Sequence, residues 1–131
     1  MKPGDIVLIR FPQADLLSGK LRPALIIFAI SPSRHRDLLL ALISSRLHQA
    51  TLGFDEIINT SDSDYITTGL KVASLIRLGR LTSVESSVIN ARLGNISPER
   101  LIRIKNLLIN WLRKSNWFFG LCYAMEGGYK G

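Results

Sequence analysis

Apolar residues in this chain come in short runs divided by turn residues, and only towards the C-terminus does the pattern change to a helical period. Asp5 to Phe11 reads Asp-Ile-Val-Leu-Ile-Arg-Phe, β-branched and apolar, between Pro3-Gly4 and Pro12, which predicts a strand. Pro12 to Gly19 has no period and reads as a loop. Lys20 to Ile30 places apolar residues on both faces of a two-residue alternation, so it is expected as a central, buried strand. Pro23 cannot donate to a ladder, and pairing is therefore expected to begin behind it. Ser31-Pro32-Ser33 is a turn that leads into Arg34-His35-Arg36. Leu38 to Ile43 is the next strand, preferred over a helix because the run is short and follows a proline turn. Phe54 to Ile58 is a shorter strand, and Asn59 to Asp64 a polar turn. Leu70 to Ile76 reads as a strand, and Arg77 is expected to carry strand structure on into the Leu81 to Val84 region. No period decides Glu85 to Ile96.

A helix follows. Ser97 suits the N-cap, Pro98 the first helical position, and Glu99 the positive end of the helix dipole. Leu101, Ile104, Leu108 and Trp111 recur at helical spacing. Ile102, Ile109 and Leu112 widen that stripe beyond one packing face, so the helix is expected to pack on the sheet and to reach a second subunit. It is expected to fade near Lys114. From Ser115 onwards Trp117, Phe118, Phe119, Leu121, Tyr123 and Met125 precede Gly127-Gly128 without a clean period. Residues 1–114 are thus expected as the folded domain, and residues 115–131 as an aromatic, glycine-rich tail. Several short strands followed by one terminal helix make an α+β or small β-barrel architecture rather than an alternating doubly wound fold.

Composition narrows the function. At 131 residues the chain has room for one domain, and 47% hydrophobic residues suffice for a core. The apolar runs stop well short of the ~20 residues of a membrane span. The N-terminus lacks the charged-then-apolar layout of a signal peptide, so the protein is expected to be cytoplasmic. Cys122, the single cysteine, can form neither an internal disulfide nor a metal cluster. The formal net charge of +7 favours a polyanionic partner, nucleic acid or an acidic protein. Its placement sharpens this: Lys20, Arg22, Arg34, Arg36 and Arg46 lie between Leu16 and His48, against Asp37 alone.

Chemistry is sparse. There is no phosphate-cradling glycine loop, no zinc-binding helix and no paired-cysteine spacing. His35 and His48 are the only histidines and read best as solvated loop residues, although either has the chemistry of a general base. Arg22, at the mouth of an apolar strand, offers a planar fork of donors that matches phosphate oxygens. Ser44, at the exit of another, offers a hydroxyl. Each alone reads as a strand-end residue. Together they are a pair suited to a phosphodiester.

The order of motifs adds to this. Gly4-Asp5-Ile6-Val7, a loop ending in Gly19, Arg22-Pro23-Ala24-Leu25-Ile26-Ile27 and Leu42-Ile43-Ser44-Ser45 come first, and Gly69 to Arg77, Arg80-Leu81-Thr82 and the terminal helix follow. This order, over residues 2 to 113, resembles the MazF/PemK family of toxin endoribonucleases. The resemblance implies a small SH3-like β-barrel with a C-terminal helix, forming a homodimer. It implies metal-independent cleavage of single-stranded mRNA and neutralisation by a cognate antitoxin. By the same resemblance Arg22 and Ser44 are catalytic, with Arg22 stabilising the transition state and passing a proton and Ser44 bonding the phosphate. Arg80 falls on a position that contacts RNA, and Lys20 and Arg46 join it as RNA-binding residues. No cofactor is implied. Serine stands at 44 where the family usually has threonine, the loop before Arg22 lacks the family's acidic and glutamine residues, and the aromatic tail lies outside the pattern. A non-catalytic toxin on the same barrel, gripping a protein as the CcdB-like toxins grip gyrase, or an inactivated relative, stays open as the alternative.

Overall fold

The computed structural model describes residues 1–10, 20–30 and 37–125, with side chains in the last helix as far as Lys114. Within it the apolar runs become strands β1 (Asp5–Ile9), β2 (Arg22–Ala29), β3 (Asp37–Ser44), β4 (Glu56–Ile58), β5 (Ser74–Glu85) and β6 (Ala91–Asn95). The helices are α1 (Tyr65–Thr68) and α2 (Pro98–Met125). The strands form one antiparallel sheet in the order β4-β5-β3-β2-β1-β6, curled into a half-barrel. This is the α+β fold expected of the chain. The loop from Pro12 to Gly19, the Arg34-His35-Arg36 cluster and the final glycines lie outside the described residues.

Both faces of the central strands are buried, because alternate residues serve two cores. Ile6, Leu25, Ile27, Ala41 and Ile43 pack on one side with Ile104 and Leu108 of α2. Val7, Ile9, Ala24, Ile26, Leu38, Leu40 and Leu42 pack on the other. α2 starts as its sequence dictates: the Ser97 hydroxyl accepts the Arg100 N–H at 3.1 Å, and the Ser97 carbonyl accepts that of Leu101 at 3.0 Å. Trp111 tilts over Phe54 with ring centroids 4.9 Å apart. Ile102, Ile109 and Leu112 stay exposed.

The structure corrects several boundaries. Pairing includes Arg22 and Pro23, opposite Ile9 and Leu8 of β1. A strand residue directs its N–H to one neighbour only, so Pro23 can lie beside β1 while β3 joins from Ala24. The region after Gly69 is not a strand until Ser74, and the two expected strands are one, β5, continuous through a bulge. Glu85 to Ile96 resolves into a short 3₁₀ turn, Ser86–Val88, and the edge strand β6. α2 does not fade near Lys114 but continues to Met125. Helical hydrogen bonds are local, and no proline interrupts them there, so the helix outlasts its amphipathic pattern.

The two open edges, β4 and β6, are bridged by α1 and the start of α2. Gly69 ends α1 at φ +74, and a Cβ there would run into the Leu93 carbonyl of β6. A Cβ on Gly94 would collide with the backbone of Thr67 and Thr68. Beside this contact Arg100 is 5% exposed and holds four partners. Its guanidinium grips Asp64 through Nε and Nη2, both at 2.9 Å, Glu56 at 2.7 Å, Asp62 at 2.7 Å and the Ile57 carbonyl at 3.0 Å. Arg103 adds a second bond to Glu56. Burial works against the Arg100 charge, yet its bonds to Asp64 and Asp62 outweigh that and hold it above the ordinary arginine range. Asp64 is pulled down to about 2, chiefly by its hydrogen bonds from Arg100. No helix among the described residues is long and apolar enough to cross a membrane.

Candidate functional site

β2 pairs with β3 through Ala24↔Leu42, Leu25↔Ala41 and Ile26↔Leu40. Arg22 and Ser44 each lie two residues beyond the Ala24↔Leu42 pair, at the same end of the two strands, and line the same surface depressions. Both are half-buried. The Arg22 Nε is buried with no hydrogen-bond partner among the described residues, which leaves a charged donor available to a ligand. The Ser44 oxygen accepts the Arg46 N–H at 3.1 Å. That bond fixes the side chain and leaves the hydroxyl proton to donate elsewhere.

Two depressions meet at this pair, and Arg22, Ile43, Ser44 and Arg46 line both. The larger, about 400 Å³, extends over Leu8 and Pro23 to Gly69–Val72 and Leu93, with Lys71 as its further cation. The smaller, about 240 Å³, runs across β3 to Gln49, Arg77 and Arg80. Among the described residues no aspartate or glutamate lines either one. A groove walled by guanidinium and ammonium groups without carboxylates attracts a polyanion.

A bulge in β5 builds the far wall of the smaller depression. Ala41 pairs with Leu81, but the next residue, Leu42, pairs with Arg77, so Leu78, Gly79 and Arg80 are extra on β5. Extra residues bend a strand and redirect its side chains. The Leu78 N–H is taken by the Asp55 carboxylate at 3.0 Å, whose other oxygen accepts the Thr51 N–H at 3.0 Å. Gly79 lies under Phe54, 3.3 Å from where a Cβ would stand. The bulge brings Arg77 and Arg80 into the depression that holds Ser44. Arg77 Nη1 donates to the Gln49 side-chain oxygen at 3.1 Å.

Of the residues singled out in the sequence, Arg22, Ser44, Arg46 and Arg80 thus come together. Lys20 is exposed two residues before Arg22 and lines neither depression, and exposed His48 lines neither. His35 lies outside the described residues, as does the side chain of Cys122. Gln49, Lys71 and Arg77 line the site without having been singled out for it. Only Arg77 carried a usable sign, a charge set inside the apolar run Leu75-Ile76-Arg77-Leu78. Among the described residues no three His, Cys, Asp or Glu side chains group as metal ligands.

A family model described as the PemK-like, MazF-like toxin of type II toxin–antitoxin systems matches residues 2–112, nearly the span over which the motifs were read. The chain belongs to this family. A search of curated proteins finds no match to it. PemK-like and MazF-like proteins are the toxin half of a two-component system, which implies an antitoxin partner and, typically, a dimer. Members of the family are typically endoribonucleases. Among them Arg22 and Ser44 now have a physical setting, a paired cation and hydroxyl at the junction of two basic depressions.

Proposed function

We propose that this PemK-like chain is a metal-independent, sequence-specific endoribonuclease that cleaves single-stranded mRNA, acts as a homodimer and is silenced by a cognate antitoxin laid over the basic groove. The 2′-hydroxyl attacks the adjacent phosphorus and loses its proton to solvent, while the bond from phosphorus to the 5′-oxygen breaks and that oxygen takes up a proton in turn. The products are a 2′,3′-cyclic phosphate and a free 5′-hydroxyl. Negative charge grows on the non-bridging oxygens in the transition state. Arg22 meets it with a permanently charged fork whose Nε is not already engaged, and Ser44 donates its hydroxyl proton to the same phosphate. Arg46 and Arg80, both exposed, hold the strand on either side, and Lys20 extends the positive field beyond the groove.

The observation that carries this reading is the placement of Arg22 with Ser44 where two basic depressions converge. Neither a lone strand-end arginine nor a basic surface by itself calls for phosphodiester chemistry. The test is cleavage of a long single-stranded RNA in EDTA, with cut sites mapped by primer extension. The wild type should cut at a recurring short sequence. Arg22→Ala should lose about 10²–10³ in rate, the scale of a deleted transition-state donor, with its melting temperature kept. Intact RNA together with growth arrest on expression would instead favour a non-catalytic, protein-gripping toxin.

A further inference from the structure

A strand alternates its side chains between two faces, so residues three apart, such as Arg77 and Arg80, belong on opposite sides of a regular sheet. Here both line the smaller depression. The bulge in β5 is the reason. Before it, Arg77 pairs with Leu42, while Ile76 and Leu78 on either side of it belong to the core under α2. After it, Leu81 pairs with Ala41 of that same core, and Thr82 pairs with Leu40. Leu40 and Leu42 share the other core. Leu78, Gly79 and Arg80 are an odd number of extra residues, so the alternation is reversed across them and Arg80 returns to the face of Arg77. That reversal has a cost at Leu78, which is fully buried and lies opposite no residue of β3 or β4. A buried N–H without an acceptor is destabilising. Asp55 supplies the acceptor: one carboxylate oxygen takes the Leu78 N–H at 3.0 Å and the other takes the Thr51 N–H at 3.0 Å. The Asp55 and Phe54 N–H groups return to the Thr51 carbonyl at 2.9 and 3.1 Å, so the carboxylate sits in a closed turn. Asp55 itself lines neither depression.

We propose that Asp55 is a positioning residue for RNA binding: by holding the Leu78 N–H it fixes the reversed register that keeps Arg77 and Arg80 on one wall of the groove. Without that acceptor β5 has a competing register. The Leu81↔Ala41 pairing continued with no bulge sets Arg80 opposite Leu42 and Leu78 opposite Ser44. Leu78 then leaves the core under α2, and Arg77 turns towards that core and away from the groove. Asp55 thus shapes the groove from behind, through the backbone, and touches neither substrate nor the reacting atoms. This inference rests on the endoribonuclease reading and adds to it the residue that holds one wall of the site.

The experiment measures KM and kcat on single-stranded RNA, and Kd for a non-cleavable 2′-O-methyl RNA bearing the mapped cut sequence. Asp55→Ala should raise KM and Kd about tenfold and leave kcat within about twofold. Loss of a negative charge beside a basic groove would by itself tighten RNA binding, so such a rise is not an effect of charge. Asp55→Asn keeps an acceptor for the buried Leu78 N–H and gives up only the exposed bond from Thr51, so it should stay within about threefold of the wild type. Asp64→Asn, which weakens the fold away from the bulge, should keep the wild-type KM. Where Asp55→Ala gives no cooperative thermal melt, Asp55→Glu replaces it: the added methylene carries the carboxylate off the Leu78 and Thr51 N–H groups, and KM should rise by at least about threefold. With wild-type protein cutting RNA, three results overturn the positioning role and leave the endoribonuclease reading standing. They are a wild-type KM in the folded Asp55→Ala or Asp55→Glu protein, a rise in Asp55→Asn as large as in Asp55→Ala, and an equal rise in Asp64→Asn. Wild-type protein that neither binds nor cuts RNA overturns both.

Discussion

Ser44 shows how one backbone bond sets a side chain's chemistry. Its oxygen is occupied by the Arg46 N–H, so the hydroxyl is free to act as a donor. Threonine keeps that arrangement and alanine removes it. Ser44→Ala is expected to slow single-turnover RNA cleavage about tenfold, the value of one hydrogen bond to a charged phosphate, while Ser44→Thr stays within about twofold. An alanine variant that cuts at the wild-type rate would remove Ser44 from the site. The residue types were legible in the sequence, since an arginine before one apolar strand and a hydroxyl after another stand out. Their meeting in one groove was not, because it depends on a register that no local pattern states. Gln49 and Lys71 were illegible for the same reason: each is an ordinary polar residue until the fold sets it beside a groove.

At the scale of elements, two devices do what no strand does alone. The bulge in β5 re-aims Arg77 and Arg80, and it is braced by the Asp55 carboxylate and by Phe54, on whose ring Trp111 of α2 packs. The sequence predicts strand structure carried from Arg77 into the Leu81 to Val84 region but no bulge, because an excess of residues on one side of a ladder has no local signature. The second device is Arg100, which ties α2 to α1 and β4. Arg100→Leu would leave Asp64 buried without its cation, Glu56 with Arg103 alone and the Ile57 carbonyl without its donor. It is expected to cost about 3–5 kcal/mol in urea denaturation, and a loss under about 1 kcal/mol would show that the cluster is not structural. The helix stripe Leu101, Ile104 and Leu108 announced α2, but an arginine in its first turn gave no hint of being nearly buried.

For the whole molecule, the Arg100 cluster ties stability to acidity. Asp64 has a folded-state value of about 2 against an ordinary 3.8. The unfolded chain therefore binds more protons between those values, and stability rises with pH across that window. The contribution, about 2 kcal/mol, is complete above roughly pH 5 and disappears as pH falls through the folded-state value. Asp62, lowered by the Asn59 N–H and by Arg100, acts in the same direction. Urea midpoints taken from pH 6 downwards should fall below about pH 4 in the wild type, and less in Asp64→Asn, which starts lower and has lost that titration. Parallel curves for the two proteins would contradict the assignment.

The fold class, most of the strands, the N-terminal start of the last helix and the family could all be read from the chain alone. Each of these is written in local periodicity, turn chemistry or the order of motifs, and such signals survive without knowledge of what lies opposite. Which groove the strand ends line, where the ladder gains extra residues and which arginines are neutralised became visible only in the folded chain. Those are relations between residues far apart in the chain, Arg22 and Ser44 lining one groove, Leu42 paired with Arg77 and Arg100 bonded to Asp64. A cation's role follows from its partner: carboxylates make Arg100 a tie within the fold, whereas Arg22 and Arg77, without carboxylate partners among the described residues, face the groove with their charge intact.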